Sequence, residues 1–193
     1  MGQPAPEPYV SYAEYVAAEE GSVTRHEWID GVIYDMSGGT PHHAGLASTI
    51  ARLLGNQLAG KRCRVFTSDL RIRVAATRMS TYPDVSVVCG RLERDPDSTT
   101  AVTNPTVLVE VLSDSTEAYD RGEKFAHYRR IPSLREYVLV AQDPPLIEVF
   151  RKNEASQWVL VAEAGPGQRV TLESIECALS VDEVYTNPLA EPT

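Results

Sequence analysis

Thr106-Val107-Leu108-Val109-Glu110-Val111-Leu112 places a single carboxylate in the middle of a hydrophobic run that is rich in β-branched residues. Such a run predicts a β-strand, and a strand that is apolar on both faces is typical of the centre of a sheet covered on both sides. Glu110 is therefore predicted to be buried, where a carboxylate without a partner loses its hydration or must bind a proton. We expect Glu110 to contact a cation, a metal ion or a set of hydrogen-bond donors.

Two ordinary explanations of Glu110 remain open at this point. Either it stands at a strand end and faces solvent, or it pairs with a structural arginine. We favour a functional role because buried carboxylates that interact with other charges concentrate at active and binding sites.

The whole chain has the length of one domain. Its 193 residues fit a single domain of the usual size, which we place at 11–186, with a disordered or extended tail at 1–10 and a C-terminal tail at 187–193. No run approaches the roughly 18 apolar residues of a membrane span, so no membrane partner is expected. The polar start, Met1–Pro8, lacks the features of a signal peptide, and we expect a cytoplasmic protein.

Charge and cysteine content limit the function further. The formal net charge of −9 argues against broad, nonspecific binding of nucleic acid, which usually requires a basic surface. A phosphate-bearing substrate must then be reached through a local basic patch, a metal ion or both. Cys63, Cys89 and Cys177 fit neither a disulfide framework nor a CxxC zinc site, and we predict buried, reduced thiols.

Capping and turn signals predict the N-terminal elements. A Ser-x-x-Glu capping box predicts a helix at about 11–20, Asp30-Gly31 predicts a β-hairpin, and Thr40-Pro41 predicts the start of a helix at 41–58. Hydrophobic patterns and chain-breaking residues predict the other elements: one bent or two short strands over 62–74, a turn at 75–81, a strand at 82–88, a loop at 90–105, the central strand at 106–112, a helix at 117–130, a meander of strands at 136–140, 146–150 and 158–161, and a short helix capped by Ser180 with Glu183.

Asp84 and Glu110 are predicted near the ends of adjacent strands, where they can share a divalent metal ion. Hard cations such as Mg²⁺ commonly take one or two carboxylates together with water and substrate phosphate. Such an ion activates water and stabilises the charge that develops on a phosphate under attack. Lys124 and Asp120 lie one turn apart on the following helix. They either complete this site or form a surface pair worth about 0.2–0.5 kcal/mol, and their spacing alone leaves both explanations open.

Several motifs occur in an order that resembles a known family. In chain order they are Arg25-x-Glu27-x-x-Asp30-Gly31, His43 at the start of a helix, Pro83-Asp84-Val85, Val109-Glu110-Val111-Leu112-Ser113-x-Ser115-Thr116, Asp120-x-x-x-Lys124 and Tyr128. Over about residues 10–150 the chain resembles the Uma-type family of bacterial endonucleases, which belongs to the PD-(D/E)xK, restriction endonuclease-like superfamily.

The resemblance implies a metal site formed by Asp84, Glu110 and the carbonyl of Val111, with Mg²⁺ or Mn²⁺ as the cofactor. It also implies that Lys124 is the catalytic lysine. The parent motif has its lysine two residues after the glutamate, where this chain has Leu112, and the resembled family itself moves the lysine to the following helix.

Glu27 joins Asp84, Glu110 and Lys124 in the catalytic set by the same resemblance, because it matches an acidic position that completes the site or binds a second ion. Two other residues are possible accessory members. His43 lies in the first turn of the helix at 41–58, where histidine is more often a cap-region residue than a ligand, and Asp120 precedes Lys124 on the same helix face.

The predicted order of elements agrees with the superfamily core. We expect an α+β, restriction endonuclease-like αβββαβ core, a mixed sheet flanked by helices, extended by an N-terminal β-hairpin and a C-terminal β-meander. Because a fold does not define a function, the enzymatic interpretation depends on Asp84, Glu110 and Lys124. These residues predict a metal-dependent endonuclease that hydrolyses phosphodiester bonds in nucleic acid, with DNA favoured over RNA.

Two alternatives to an endonuclease remain. A catalytically silent module that binds nucleic acid or protein would cleave nothing with any metal, and a metal-bound structural protein would show ion-dependent melting without turnover. Nucleic-acid contacts are assigned to basic residues that alternate along a strand face predicted to be exposed, where arginines serve solubility at least as often: Arg62, Arg64, Arg71 and Arg73.

A homodimer is also expected. Cleavage of both DNA strands needs two sites, and two-fold pairs are the commonest assembly. The C-terminal strands carry more apolar side chains than a solvated outer face needs: Leu146, Ile147, Phe150, Trp158 and Leu160. The same side chains can instead be buried against the helix at 11–20 within one chain.

Overall fold

The computed structural model describes residues 9–36, 38–187 and 189. Most of the two predicted tails, residues 1–8, 188 and 190–193, lies outside the described residues. Within the described part, no helix combines the length and apolar character needed to cross a bilayer.

Five α-helices and thirteen β-strands are formed by the described residues. The helices are α1 (Tyr12–Glu20), α2 (Pro41–Gln57), α3 (Glu117–Tyr119), α4 (Phe125–Tyr128) and α5 (Val181–Tyr185), with a π turn at Asp120–Lys124 and 3₁₀ turns at Ala75–Thr77 and Glu173–Ile175. The strands are β1 (His26–Ile29), β2 (Val32–Asp35), β3 (Cys63–Thr67), β4 (Arg71–Val74), β5 (Met79–Thr81), β6 (Val85–Cys89), β7 (Ala101–Val102), β8 (Val107–Val111), β9 (Glu136–Ala141), β10 (Leu146–Lys152), β11 (Trp158–Ala164), β12 (Arg169–Leu172) and β13 (Cys177–Ser180).

The core is a six-stranded mixed sheet in the order β11-β10-β9-β8-β6-β3. Strand β8 is buried along its whole length, pairing antiparallel with β6 and parallel with β9, as its β-branched sequence predicts. One face packs on the apolar stripe of α2, including Ile50 and Leu54, and the other packs on Phe125 and Tyr128 of α4. The predicted α+β core, a mixed sheet between helices, is confirmed.

Local signals at the N-terminus of the chain form as predicted. Ser11 and Glu14 make a complete capping box on α1, and Thr40 caps α2 with Pro41 in its first turn. Strands β1 and β2 form the hairpin around Asp30-Gly31. These motifs succeed because each is completed by residues within a few positions of one another.

The predicted extension by a hairpin is in fact part of a second sheet, ordered β2-β1-β5-β4-β7. The region at 62–74 forms two strands in different sheets, because a turn closed by the Leu70 N–H on the Thr67 carbonyl (3.1 Å) redirects the chain. The predicted turn at 75–81 contains β5, and the predicted loop at 90–105 contains β7. The alternation of apolar and basic side chains over 62–74 continues across the Thr67–Leu70 turn, so the sequence pattern does not reveal that the chain changes sheet there.

The prediction of an exposed arginine face is wrong for Arg71 and Arg73. Their exposed fractions are 1% and 8%. Arg71 donates to Ser98 Oγ at 2.7 Å, and the Arg73 guanidinium lies 3.9 Å from the ring centroid of Tyr12. Both belong to the interface between α1 and the second sheet, which removes them from contact with a nucleic acid.

The cysteine prediction is wrong for two of the three residues. Cys63 and Cys89 are paired residues of β3 and β6, and they form a disulfide. Cys177 is a buried free thiol, as predicted. The two cysteines are 26 residues apart in the chain and meet because of the register between β3 and β6. The spacing of cysteines in the sequence does not predict that register.

The C-terminal meander forms as β9, β10 and β11, but most of its apolar side chains face inward. Ile147 is fully buried, and Phe150 and Trp158 pack around Phe125. Solvent instead reaches the edge strand at 159–161, where the exposed fractions are 44% for Val159, 44% for Leu160 and 43% for Val161.

Two smaller features at the C-terminus differ from expectation. Strands β12 and β13 form an additional two-stranded sheet that the sequence patterns did not predict. Ser180 precedes α5, but its side chain makes no capping hydrogen bond.

Candidate active site

A cleft of about 280 Å³ lies at the carboxyl end of β8, between the start of α2, the β1–β2 hairpin and the helical segment that follows β8. It contains every acidic, basic and histidine residue that the sequence assigned to the catalytic and accessory set. Its charged or imidazole-bearing lining residues are Glu27, Asp35, His43, Asp84, Glu110, Asp120 and Lys124.

Asp84 and Glu110 meet because their strands are direct neighbours in the sheet. Asp84 immediately precedes β6, and its Oδ2 accepts a hydrogen bond from the Val111 N–H at 2.8 Å. The Asp84 N–H in turn donates to Glu110 Oε2 at 3.4 Å. The predicted adjacency of the two carboxylates is therefore present in the structure.

Lys124 is buried at the centre of a group of carboxylates. Its Nζ lies 2.9 Å from Glu110 Oε1, 3.4 Å from Asp120 Oδ1 and 3.6 Å from Glu27 Oε1. It occupies the last position of the π turn, a local widening of the helix that is often found at functional sites. The alternative of a solvent-exposed helix pair for Asp120 and Lys124 is excluded, because both side chains are buried.

Burial and charge shift the protonation of this group strongly. Burial raises the pKa of Glu110 to about 8, and the Lys124 ammonium opposes that rise. Burial alone would lower the pKa of Lys124, but Glu110 and the other anionic groups outweigh it and hold that pKa well above its usual value. Lys124 is therefore a permanent cation whose charge is balanced inside the protein.

His43 contacts Asp84, the second carboxylate predicted to bind metal. Its Nε2 lies 3.2 Å from Asp84 Oδ2. The hydrogen bond with Asp84 raises the pKa of His43, burial opposes it, and the Val111 carbonyl adds to the rise. The Val111 carbonyl that was predicted as a ligand therefore lies beside His43 in the cleft.

Glu27 reaches the site from the β1–β2 hairpin. Its Oε1 accepts a hydrogen bond from Thr81 Oγ1 and faces Lys124. This predicted member of the catalytic set is thus supplied by the second sheet, which is why the hairpin is required for a complete cleft.

Two tyrosines support the site. The Tyr128 hydroxyl donates to Glu110 Oε1 at 2.7 Å, and the Tyr137 hydroxyl donates to the carbonyl of Asp120 at 3.0 Å. The sequence analysis named Tyr128 only as part of a motif. Its spacing of four residues from Lys124, which places both on one helix face, is the signal that could have marked it. Tyr137 lies within an apolar strand and carries no such signal.

The residues present fit a divalent cation with oxygen ligands. Among the described residues no group of three or more His, Cys, Asp and Glu side chains is arranged to hold a metal ion. Mg²⁺ and Mn²⁺ do not require such a group, because one or two carboxylates with a carbonyl, water and phosphate complete their coordination. Asp84, Glu110 and the Val111 carbonyl match that donor set.

Of the four arginines predicted to contact nucleic acid, only Arg62 and Arg64 are exposed. Arg64 lies opposite Val88 in the β3–β6 pair, three residues from the end where Thr67 faces Val85. At about 3.3 Å per residue this is roughly 10 Å along the sheet from the end nearest Asp84. Neither arginine belongs to the cleft itself.

Comparison with known proteins identifies the family of the chain. A family model described as "Putative restriction endonuclease" matches residues 12–182, most of the chain. The chain belongs to this family, Uma2. The resemblance drawn from the motifs is thereby confirmed.

Two relatives are uncharacterised proteins of Synechocystis. One is 41% identical over 181 residues, covering 94% of this chain and 94% of the relative, and the other is 34% identical over 158 residues, covering 82% and 89%. A solved structure from Anabaena variabilis, described as a putative nuclease, aligns with a TM-score of 0.68 and 19% identity over 85% of this chain and 91% of that chain. It shows that this Uma2 chain has the restriction endonuclease-like fold.

Proposed function

We propose that this protein is a divalent-metal-dependent endonuclease that hydrolyses phosphodiester bonds in nucleic acid, with DNA the favoured substrate. The observation that carries the proposal is the convergence of Asp84, Glu110 and Lys124 in one cleft of a Uma2 protein. Three elements that are distant in the chain bring two neighbouring carboxylates and one buried ammonium together.

Each residue has a role that follows from its contacts. Asp84, Glu110 and the Val111 carbonyl would hold Mg²⁺ or Mn²⁺, which supplies an activated water and charge stabilisation at the phosphate. Lys124 places a fixed positive charge beside Glu110, where it stabilises the phosphate or orients the attacking water. His43 orients Asp84, and Tyr128 orients Glu110.

The shape of the cleft supports cleavage within a strand. Toward α2 it continues into a groove that shares Gly39, His43 and Asp84 with it. On its other side it continues into a second groove that shares Thr40 and Gln142. A chain passing through both grooves would present an internal phosphodiester to the carboxylates.

Incubation of the purified protein with plasmid, linear and single-stranded DNA and with RNA, with and without Mn²⁺ or Mg²⁺, tests the proposal. Metal-dependent cleavage that is lost with EDTA is the expected result. Failure to cleave any substrate with either metal would contradict it and would favour the catalytically silent module on the same fold.

Contacts to the nucleic-acid backbone remain proposed for Arg62 and Arg64. If both contact phosphates, the double variant Arg62→Gln with Arg64→Gln has a less steep salt dependence of binding. The slope of the logarithm of the association constant for duplex DNA against the logarithm of salt concentration becomes smaller in magnitude by about 1.8, since each phosphate contact contributes roughly 0.9. Fluorescence anisotropy with Ca²⁺ over a salt series measures the slope. The matched control changes two exposed arginines, Arg135 and Arg169. An equal slope in both double variants would remove Arg62 and Arg64 from the binding surface.

A homodimer and a cytoplasmic location remain predictions. The exposed edge strand β11, with Val159, Leu160 and Val161, is the apolar surface that supports a dimer. Sedimentation at micromolar concentration decides the matter, and a monomer mass of 21.2 kDa would end the dimer proposal while leaving nicking of single strands open.

A further inference from the structure

The hydroxyl of Tyr119 differs from those of the neighbouring tyrosines because it makes no hydrogen bond within the part of the chain that the structure describes. Its Oη atom is shielded from solvent and has no hydrogen-bond partner among the described residues. The neighbouring hydroxyls are all satisfied: Tyr82 donates to Glu19 Oε1 at 2.7 Å, Tyr128 to Glu110 Oε1 at 2.7 Å, and Tyr137 to the Asp120 carbonyl at 3.0 Å. A shielded hydroxyl without a partner is costly and needs an explanation.

Tyr119 is held in the cleft by the segment that carries the catalytic lysine. It is the last residue of α3, immediately before the π turn, and it lines the cleft together with Glu27, Asp120 and Lys124. Burial raises the pKa of Tyr119, and Glu27 raises it further, so the hydroxyl stays protonated. It therefore remains an unused O–H donor on a residue that lines the cleft.

A donor in this place fits an anionic acceptor that enters with the substrate. Four carboxylates of the cleft are already engaged by Lys124, Tyr128 or His43: Glu27, Asp84, Glu110 and Asp120. Phosphodiester oxygens accept hydrogen bonds strongly because they are charged. We propose that the Tyr119 hydroxyl donates a hydrogen bond to a non-bridging oxygen of the substrate phosphate, which makes Tyr119 a substrate-binding residue of the site.

This inference rests on the proposed function, and its test separates the two. The probe is thymidine 3′,5′-bisphosphate, titrated in the presence of Ca²⁺ into the full chain, wild type and Tyr119→Phe, by calorimetry. Loss of one hydrogen bond to a charged group weakens binding by roughly 10- to 100-fold. The melting temperature of Tyr119→Phe is expected to stay the same or rise, because the substitution removes a buried, unpaired hydroxyl.

The chain supplies a matched control in Tyr12. Its hydroxyl is also buried without a partner among the described residues, but its ring packs against the Arg73 guanidinium and, at a tilt, against Trp28, and Tyr12 does not line the cleft. Tyr12→Phe removes the same atom and is expected to leave bisphosphate affinity unchanged. A structural role for either hydroxyl would instead appear as a lower melting temperature.

The outcomes separate the role of Tyr119 from the proposed nuclease activity. Equal affinity of wild type and Tyr119→Phe, or no binding of the bisphosphate by wild type at millimolar concentration, overturns the role of Tyr119. Binding that weakens in Tyr119→Phe while wild type cleaves no substrate supports the phosphate contact and refutes the nuclease.

Discussion

Glu110→Gln is expected to lower the rate of metal-dependent cleavage by at least about 1000-fold, since loss of several kcal/mol of metal-derived stabilisation corresponds to three or more factors of ten. The amide keeps the size of the side chain and an acceptor for the Tyr128 hydroxyl, but it removes the charge that would hold the ion. Initial rates on plasmid DNA with Mn²⁺ measure the effect, and calorimetric titration of Mn²⁺ measures the loss of binding.

Glu148→Gln is the matched control for this change. Glu148 is also a buried glutamate of the central sheet, and it pairs with Arg121 at 2.5 Å outside the cleft lining. Its replacement is expected to leave cleavage near the wild-type rate. Cleavage that survives in Glu110→Gln would reject the assignment of Glu110 as a metal ligand, whatever the result for Glu148.

Lys124→Met is expected to destabilise the fold as well as abolish cleavage. The lysine is the common partner of Glu27, Glu110 and Asp120, and its removal leaves buried carboxylates without their cation. Breaking a buried ion pair in this way costs about 3–5 kcal/mol. Urea unfolding at pH 8 measures the loss. Lys61→Met, which breaks the exposed pair with Glu176, is the control and should cost less than about 1 kcal/mol.

The loss of folding stability in Lys124→Met should depend on pH in a defined direction. The pKa of Glu110 is already raised to about 8 with the lysine in place, and it rises further without it. A carboxyl group whose folded pKa lies above its unfolded value, about 4.3, contributes a penalty that grows as pH rises between the two values. Up to about pH 8 the wild type carries the same penalty, so the difference between variant and wild type is expected to stay constant there and to grow only above pH 8, where the penalty rises further in the variant alone.

Divalent metal provides an independent check on the same variant. Mn²⁺ replaces part of the missing positive charge, so it should raise the melting temperature of Lys124→Met more than that of wild type. A variant that is as stable as wild type at all pH values, with or without Mn²⁺, would show that Lys124 does not balance this carboxylate group.

Part of the site could be predicted because its signals are local or depend only on strand adjacency. Glu110 is conspicuous as one carboxylate in an apolar strand, and Asp84 stands at the entrance of the strand that pairs with it. Asp120 and Lys124 share a helix face at a spacing of four. Each inference uses the period of one element, which the sequence states directly.

Other features were decided by which elements pack together. Strand alternation distinguishes two faces but does not say what covers them, so Arg71 and Arg73 were predicted to be exposed although α1 and the second sheet enclose them. The change of sheet at the Thr67–Leu70 turn and the Cys63–Cys89 pairing depend on register between distant strands.

The sequence by itself determined the capped helices, the hairpin, the central strand and the pairing of Asp84 with Glu110 as candidates, because these depend on short-range periodicity and on the cost of burying one charge. Lys124 was chosen through the family resemblance, since its spacing from Asp120 left both explanations open. Only the tertiary structure decided that Glu27 and Asp120 share Lys124 with Glu110, that Tyr128 supports Glu110, and that the Tyr119 hydroxyl is left without a partner. Those facts arise where a hairpin, a strand and a helix meet, and the contacts between them have no pattern along the chain.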